Sequence, residues 1–139
     1  MVDPDRVARR LERLEELLVE LERIRDDEPD ALRTDRRTTL AALHALQLAL
    51  QIVLDLGTQL SAERRIPIPD TYREIFPALA QAGTIPSALG ESLAQAAALR
   101  NVLVHEYLDV DLDEVSSALN RLDDLRAFGL VVQRATNET

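Results

Sequence analysis

The sequence predicts an all-α fold, an up-and-down bundle of about five helices that pairs as a dimer. Three observations point to the helical bundle. Apolar residues make up 46% of the chain and aromatic residues only 3%, so the core must be built from Leu, Ala, Val and Ile, the palette of helix packing. Those residues recur at helical spacing over long segments. Pro29, the Pro67/Pro69 pair and Pro86 fall between the segments, where proline stops one helix or starts another.

The first helix is expected from Val2 to about Asp27. Val7, Leu11, Leu14, Leu18 and Leu21 form one apolar stripe, and Asp3 is placed to cap with Pro4 at the first helical position. Arg6, Arg9, Arg10 and Arg13 interleave with Glu12, Glu15, Glu16 and Glu20 as a solvated face. The acidic run Asp26–Asp30 around Pro29 breaks it. A second helix then runs from near Asp30 to about Ala62. Leu43, Leu46, Leu50, Val53 and Leu60 fill one flank, with Leu40, Leu54 and Leu56 around it. One narrow polar line remains: His44, Gln47, Gln51, Asp55 and Thr58. A helix apolar on most sides is central or lies between subunits, and the polar line suggests the border of an interface. His44, alone among leucines, reads as a hydrogen-bonded structural histidine.

Arg64–Asp70 is a linker whose prolines force extended backbone before each of them. Asp70 is the expected cap of a short third helix, Thr71 to about Gln81, in which Pro77 should kink the helix or push its regular part downstream. Gly83 ends that helix and Pro86 opens a fourth. Along the fourth, Leu89, Leu93 and Ala96 lead to Arg100, Leu103 and Tyr107, and its alanines keep it thin. Asp109 or Asp111 begins the last helix, with Asp111 and Glu114 at capping-box spacing. Val115, Ala118, Leu119, Leu122 and Leu125 give its apolar face, and Gly129 closes it. The expected organisation is one domain over residues 1–132 and a flexible tail over 133–139.

Composition narrows the functional classes. With no cysteine, disulfide and thiolate chemistry are excluded, which fits a cytoplasmic protein. No signal segment is read at the N-terminus, and the longest apolar stretch, Leu40–Leu56, is interrupted by His44, Gln47, Gln51 and Asp55, so no membrane partner is expected. Two histidines without clustered spacing specify no metal site. No glycine-rich phosphate loop and no other cofactor signature is present. Net charge is −9 and all 16 basic residues are arginine. An acidic chain does not adhere broadly to nucleic acid, so any RNA must be met at a local arginine site or through charge arrangement in an oligomer.

One octet concentrates the chemistry: Arg100-Asn101-Val102-Leu103-Val104-His105-Glu106-Tyr107. An imidazole titrating near neutrality can serve as general base and then general acid. A guanidinium stays charged and its planar fork suits phosphate or a pentacoordinate transition state. At 100° per residue, Arg100 and His105 project about 140° apart on an ideal helix. Either the helix loosens near His105, or the arginine curls round, or two copies complete one cleft. Asn101, one turn before His105, can orient it. The competing reading has Arg100 paired with a carboxylate while His105 and Tyr107 merely end a helix.

The pattern R-N-x-L-V-H-x-Y resembles the signature of the HEPN superfamily, R-x-x-x-x-H, and more narrowly that of the HepT-type toxins. Tyr72-Arg73-Glu74-Ile75-Phe76, Ala82-Gly83-Thr84-Ile85-Pro86 and the long helix Leu46–Asp55 extend the likeness over roughly residues 36–126. The resemblance implies a metal-independent endoribonuclease, the toxin of a toxin–antitoxin pair, acting on RNA at a dimer cleft or in a higher oligomer. Arg100 and His105 would be catalytic, with Asn101 in support. It also implies a cognate minimal nucleotidyltransferase antitoxin that silences the toxin by attaching AMP to Tyr107. The rival is a non-catalytic helical dimer that docks such a nucleotidyltransferase or binds a nucleotide.

Overall fold

A computed structural model describes residues 3–106 and 109–138 of the chain. Among the described residues all regular structure is helical. The elements are α1 (Pro4–Asp27), α2 (Ala31–Thr34), α3 (Arg36–Glu63), a 3-10 turn (Tyr72–Glu74), α4 (Ile75–Gln81), α5 (Ser87–His105), α6 (Leu112–Leu119) and α7 (Leu122–Asn137). The five segments read from the sequence are all present, and the second and last are each divided in two.

Asp35 divides the second. Its backbone is extended (φ −109°, ψ 113°), and its carboxylate accepts from the Thr38 N–H at 3.2 Å and the Thr38 hydroxyl at 2.6 Å. Those two bonds hold the Asp35 carboxyl below the usual aspartate range, the hydroxyl bond contributing most. The long helix therefore starts at Arg36, and Asp30 heads only the single turn of α2.

The last segment divides at Asn120 and Arg121. Asp111 caps α6, through the Asp113 N–H at 2.9 Å. Gly129 does not close a helix. It is buried within α7, where an added Cβ would lie 3.4 Å from Leu11 Cδ2. The apolar face Leu122, Leu125, Phe128, Val132 and Ala135 continues past it. That burial outweighs the ~1 kcal/mol a glycine costs inside a helix, and α7 continues to Asn137.

Asp70 does not cap the third segment. The boundary residue is Thr71, extended and without a side-chain capping bond. Pro77 has displaced the regular helix downstream as expected: it sits in the first turn of α4, where its missing N–H has no helical partner to lose. Gly83 ends α4 at φ +82°, the left-handed conformation that favours glycine. Pro86 is the residue before α5 rather than its first.

α3 is the central helix, packed against α1, α2, α4, α5 and α7. By length and composition it could cross a membrane, but 56% of its most apolar window is buried inside this fold, the pattern of a core helix. Phe76 of α4 and Phe128 of α7 meet edge-to-face, ring centroids 5.4 Å apart. Gly90 lets α5 lie directly on α4. A Cβ there would come within 2.9 Å of Ala80 Cβ and 3.2 Å of the Phe76 carbonyl oxygen, so any side chain would push the two helices apart.

Across the other seam, Arg126 of α7 grips Glu15 and Glu22 of α1, with Nη2 2.7 Å from Glu22 Oε1. The hydrogen bond from Arg126 holds Glu22 below the usual glutamate range, outweighing the opposing effect of burial. A carboxyl whose pKa is depressed by folding stabilises the fold above its unfolded value of about 4.3. That contribution is lost as pH falls through the lower folded-state value. Urea midpoints should therefore drop from about pH 4 downward more steeply in the unsubstituted protein than in Glu22→Gln. Matching slopes would place the acid sensitivity elsewhere.

Candidate active site

α5 is fixed from behind. Gly90, Leu93, Ala94, Ala97, Leu99 and Leu103 are buried along it, and Leu103, fully buried, anchors its last turn. Arg100 is half-buried on the flank, whereas Asn101, Val104 and His105 are exposed. The helix stays regular through His105 and ends at Glu106, whose N–H bonds the Val102 carbonyl at 2.7 Å.

The Arg100 guanidinium reaches across to α3. Nε donates to Gln51 Oε1 at 2.7 Å, and Gln51 Nε2 in turn donates to Asp55 Oδ1 at 2.9 Å. Nη1 donates to Asn101 Oδ1 at 3.0 Å. Its carbon lies 5.5 Å from the centre of the Tyr72 ring, on the 3-10 turn, within cation–π range. Three elements thus fix one side chain. Among the described residues the arginine is held by two amides and a ring, with no carboxylate paired to it.

Asn101 meets Arg100 through its Oδ1, which leaves its amide N–H groups as further donors. Arg100 and His105 share no hydrogen bond among the described residues. Tyr107 lies outside the described residues. His44 is exposed rather than embedded among leucines. It lies between Leu40 and Leu48, which are 39% and 41% exposed, and this part-apolar strip continues along α3 to Gln51. Gln51, Asp55 and Tyr72 are the residues that sequence reasoning did not attach to the site. The first two were visible as a polar line with i,i+4 spacing, and Tyr72 as part of a quoted motif, but neither signal named Arg100 as the partner.

A cleft of about 370 Å³ lies on another side of α5, lined by Leu46, Leu50, Leu99 and Val102 with Arg73 and Arg121. Neither Arg100 nor His105 lines it. Of the described octet residues Val102 lines the cleft, while His105 is exposed at the end of the helix.

Residues 8–131 match the family model described as ribonuclease HepT-like. The chain belongs to that family. A curated HepT-like relative, the mRNA nuclease HepT of Shewanella oneidensis, is 30% identical over 84 residues, 60% of this chain and 63% of that protein. Two curated relatives are thus matched over less than two thirds of their lengths, 63% and 64%. Among solved structures, the tri-AMPylated Shewanella oneidensis HEPN toxin in complex with MNT antitoxin superposes with a TM-score of 0.83 at 21% identity, over 96% of this chain and 99% of that one. YutE of Bacillus subtilis, a cytosolic protein of unknown function, gives 0.77 at 23% identity, over 96% and 90%. At these identities the structural likeness shows the fold, and the HepT-like helical bundle expected from the octet is the one observed.

Proposed function

We propose that this HepT-like chain is the endoribonuclease toxin of a toxin–antitoxin pair, working without a metal ion. The observation that carries the reading is the clamped guanidinium of Arg100 on the same surface helix as an exposed His105, within the span matched by the family model. His105 takes the proton from a ribose 2′-hydroxyl. The 2′-oxygen attacks the adjacent phosphorus, the bond to the 5′-oxygen breaks, and a His105 imidazolium of the cleft gives its proton to that leaving oxygen. Arg100 stabilises the charge that builds on the phosphoryl oxygens. The products carry a 2′,3′-cyclic phosphate and a 5′-hydroxyl, and DNA is inert because it lacks the nucleophile.

A second copy completes the cleft. The angular separation of Arg100 and His105 on a regular helix favours pairing, as do the exposed Leu40 and Leu48 strip on α3 and Val104, 39% exposed, on α5. The proposed antitoxin is a minimal nucleotidyltransferase that transfers AMP to Tyr107. That would set a phosphate and a bulky nucleoside two residues beyond His105, where substrate must pass. The solved HEPN toxin with its MNT antitoxin is the supporting parallel.

The test is direct. Unmodified protein, its intact mass verified, is incubated in chelator with labelled RNA, beside the His105→Ala variant. Cleavage to cyclic-phosphate ends supports the reading. Intact RNA across several RNA classes would overturn it.

A further inference from the structure

The fold uses its few aromatics in two ways. Phe76 and Phe128 are 1% and 0% exposed and pack on each other in the core. Tyr72 is 42% exposed, on a 3-10 turn that ends the linker after α3, and its ring contacts the Arg100 guanidinium. It contributes nothing to the core: Ile75 and Phe76, 1% exposed each, do the anchoring for that segment. A brace for Arg100 alone needs no ring left open to solvent, since Gln51 and Asn101 already fix two of the guanidinium's N–H groups.

We infer that Tyr72 is a nucleobase platform: the base next to the scissile phosphate in single-stranded RNA stacks on it while Arg100 holds that phosphate. This rests on the ribonuclease reading and extends it to how the strand is seated. The chemistry matches on both counts. Single-stranded RNA is gripped through unstacked bases laid on aromatic rings and through guanidinium–phosphate pairs. A cation against one part of the ring and a base against another form a continuous stack of the kind that arginine and aromatics share. Because any base has a π-face, the platform reads single-strandedness and stacking strength, not sequence.

The test uses the full chain with His105→Ala to stop turnover, and a short fluorescein-labelled single-stranded RNA as probe. Tyr72→Ala should weaken binding by about five- to a hundredfold, and Tyr72→Phe should retain most of it. An abasic site walked along the probe should cost the Tyr72 protein that same factor at one position, and cost Tyr72→Ala almost nothing there. As a second readout, Tyr72→Trp introduces a unique indole, since the chain has no tryptophan, and its emission should be quenched when RNA binds. If Tyr72→Ala binds as tightly as its parent, or the abasic penalties are unchanged at every position, Tyr72 only braces Arg100 and the platform is wrong. Cleavage by the otherwise unsubstituted protein in that case leaves the ribonuclease reading standing. Failure of that protein to bind or cut any RNA overturns both.

Discussion

Replacing His105 with alanine should lower RNA cleavage by about a hundred- to ten-thousandfold, the usual contribution of a positioned acid–base group, and should leave the fold untouched. The separation of the two effects follows from burial. His105 is exposed at the last position of α5, while Leu103 and Leu99 tie that turn to the core. Removing an exposed imidazole costs about 0.5 kcal/mol or less. Initial rates on labelled RNA and a urea melt on the same preparation read the two quantities. Retained cleavage in His105→Ala would remove the histidine from the mechanism. Lost cleavage together with a large fall in the urea midpoint would assign it a structural role instead.

Arg100 gives the second large effect, and here the conservative variant is the sharper test. Arg100→Ala should cost about a hundred- to a thousandfold in rate, the scale of losing one preorganised donor to a developing charge. Arg100→Lys keeps the positive charge but not the planar fork. An ammonium at the end of a flexible stem has no guanidinium plane to lie against Tyr72, and it cannot bond Gln51 while presenting a fixed edge to phosphate. Lysine should therefore recover RNA binding in part and rate hardly at all. Full recovery of the rate would mean that only charge matters, and the clamp by Gln51, Asn101 and Tyr72 would have no catalytic purpose.

Much of this architecture was legible in the sequence because helices announce themselves through period and punctuation. The stripe Val7, Leu14, Leu18 and Leu21 and the Asp3–Pro4 start place α1 almost to the residue. The divisions were harder. Asp35 followed three residues later by Thr38 is a capping pattern, yet it sits inside an otherwise continuous helical stretch, where a cap residue is easily read as part of a solvated face. Gly129 misled for the opposite reason. Local propensity makes it a helix end, and only the close approach of Leu11 from a helix more than a hundred residues earlier explains why it stays within one. The site followed the same rule. Arg100 and His105 lie five positions apart in one octet and could be named. Gln51 and Tyr72 join Arg100 only through tertiary packing of α3 and the 3-10 turn on α5, which no spacing encodes.

The way Arg100 is held has a consequence for how an acidic protein meets RNA. Arg126 spends its charge on Glu15 and Glu22, and Arg25 and Arg33 spend theirs on Asp26 and Asp113. Arg100 is fixed by amide dipoles and a ring face, and the nearest carboxylate in its network, Asp55, is one glutamine removed. Its charge is therefore oriented without being neutralised. Under the proposed ribonuclease reading, an RNA strand held at this one guanidinium on a chain of net charge −9 would displace few counterions, so its association would depend only shallowly on ionic strength. In that reading the attraction at Arg100 is local, set against an average surface charge that is negative.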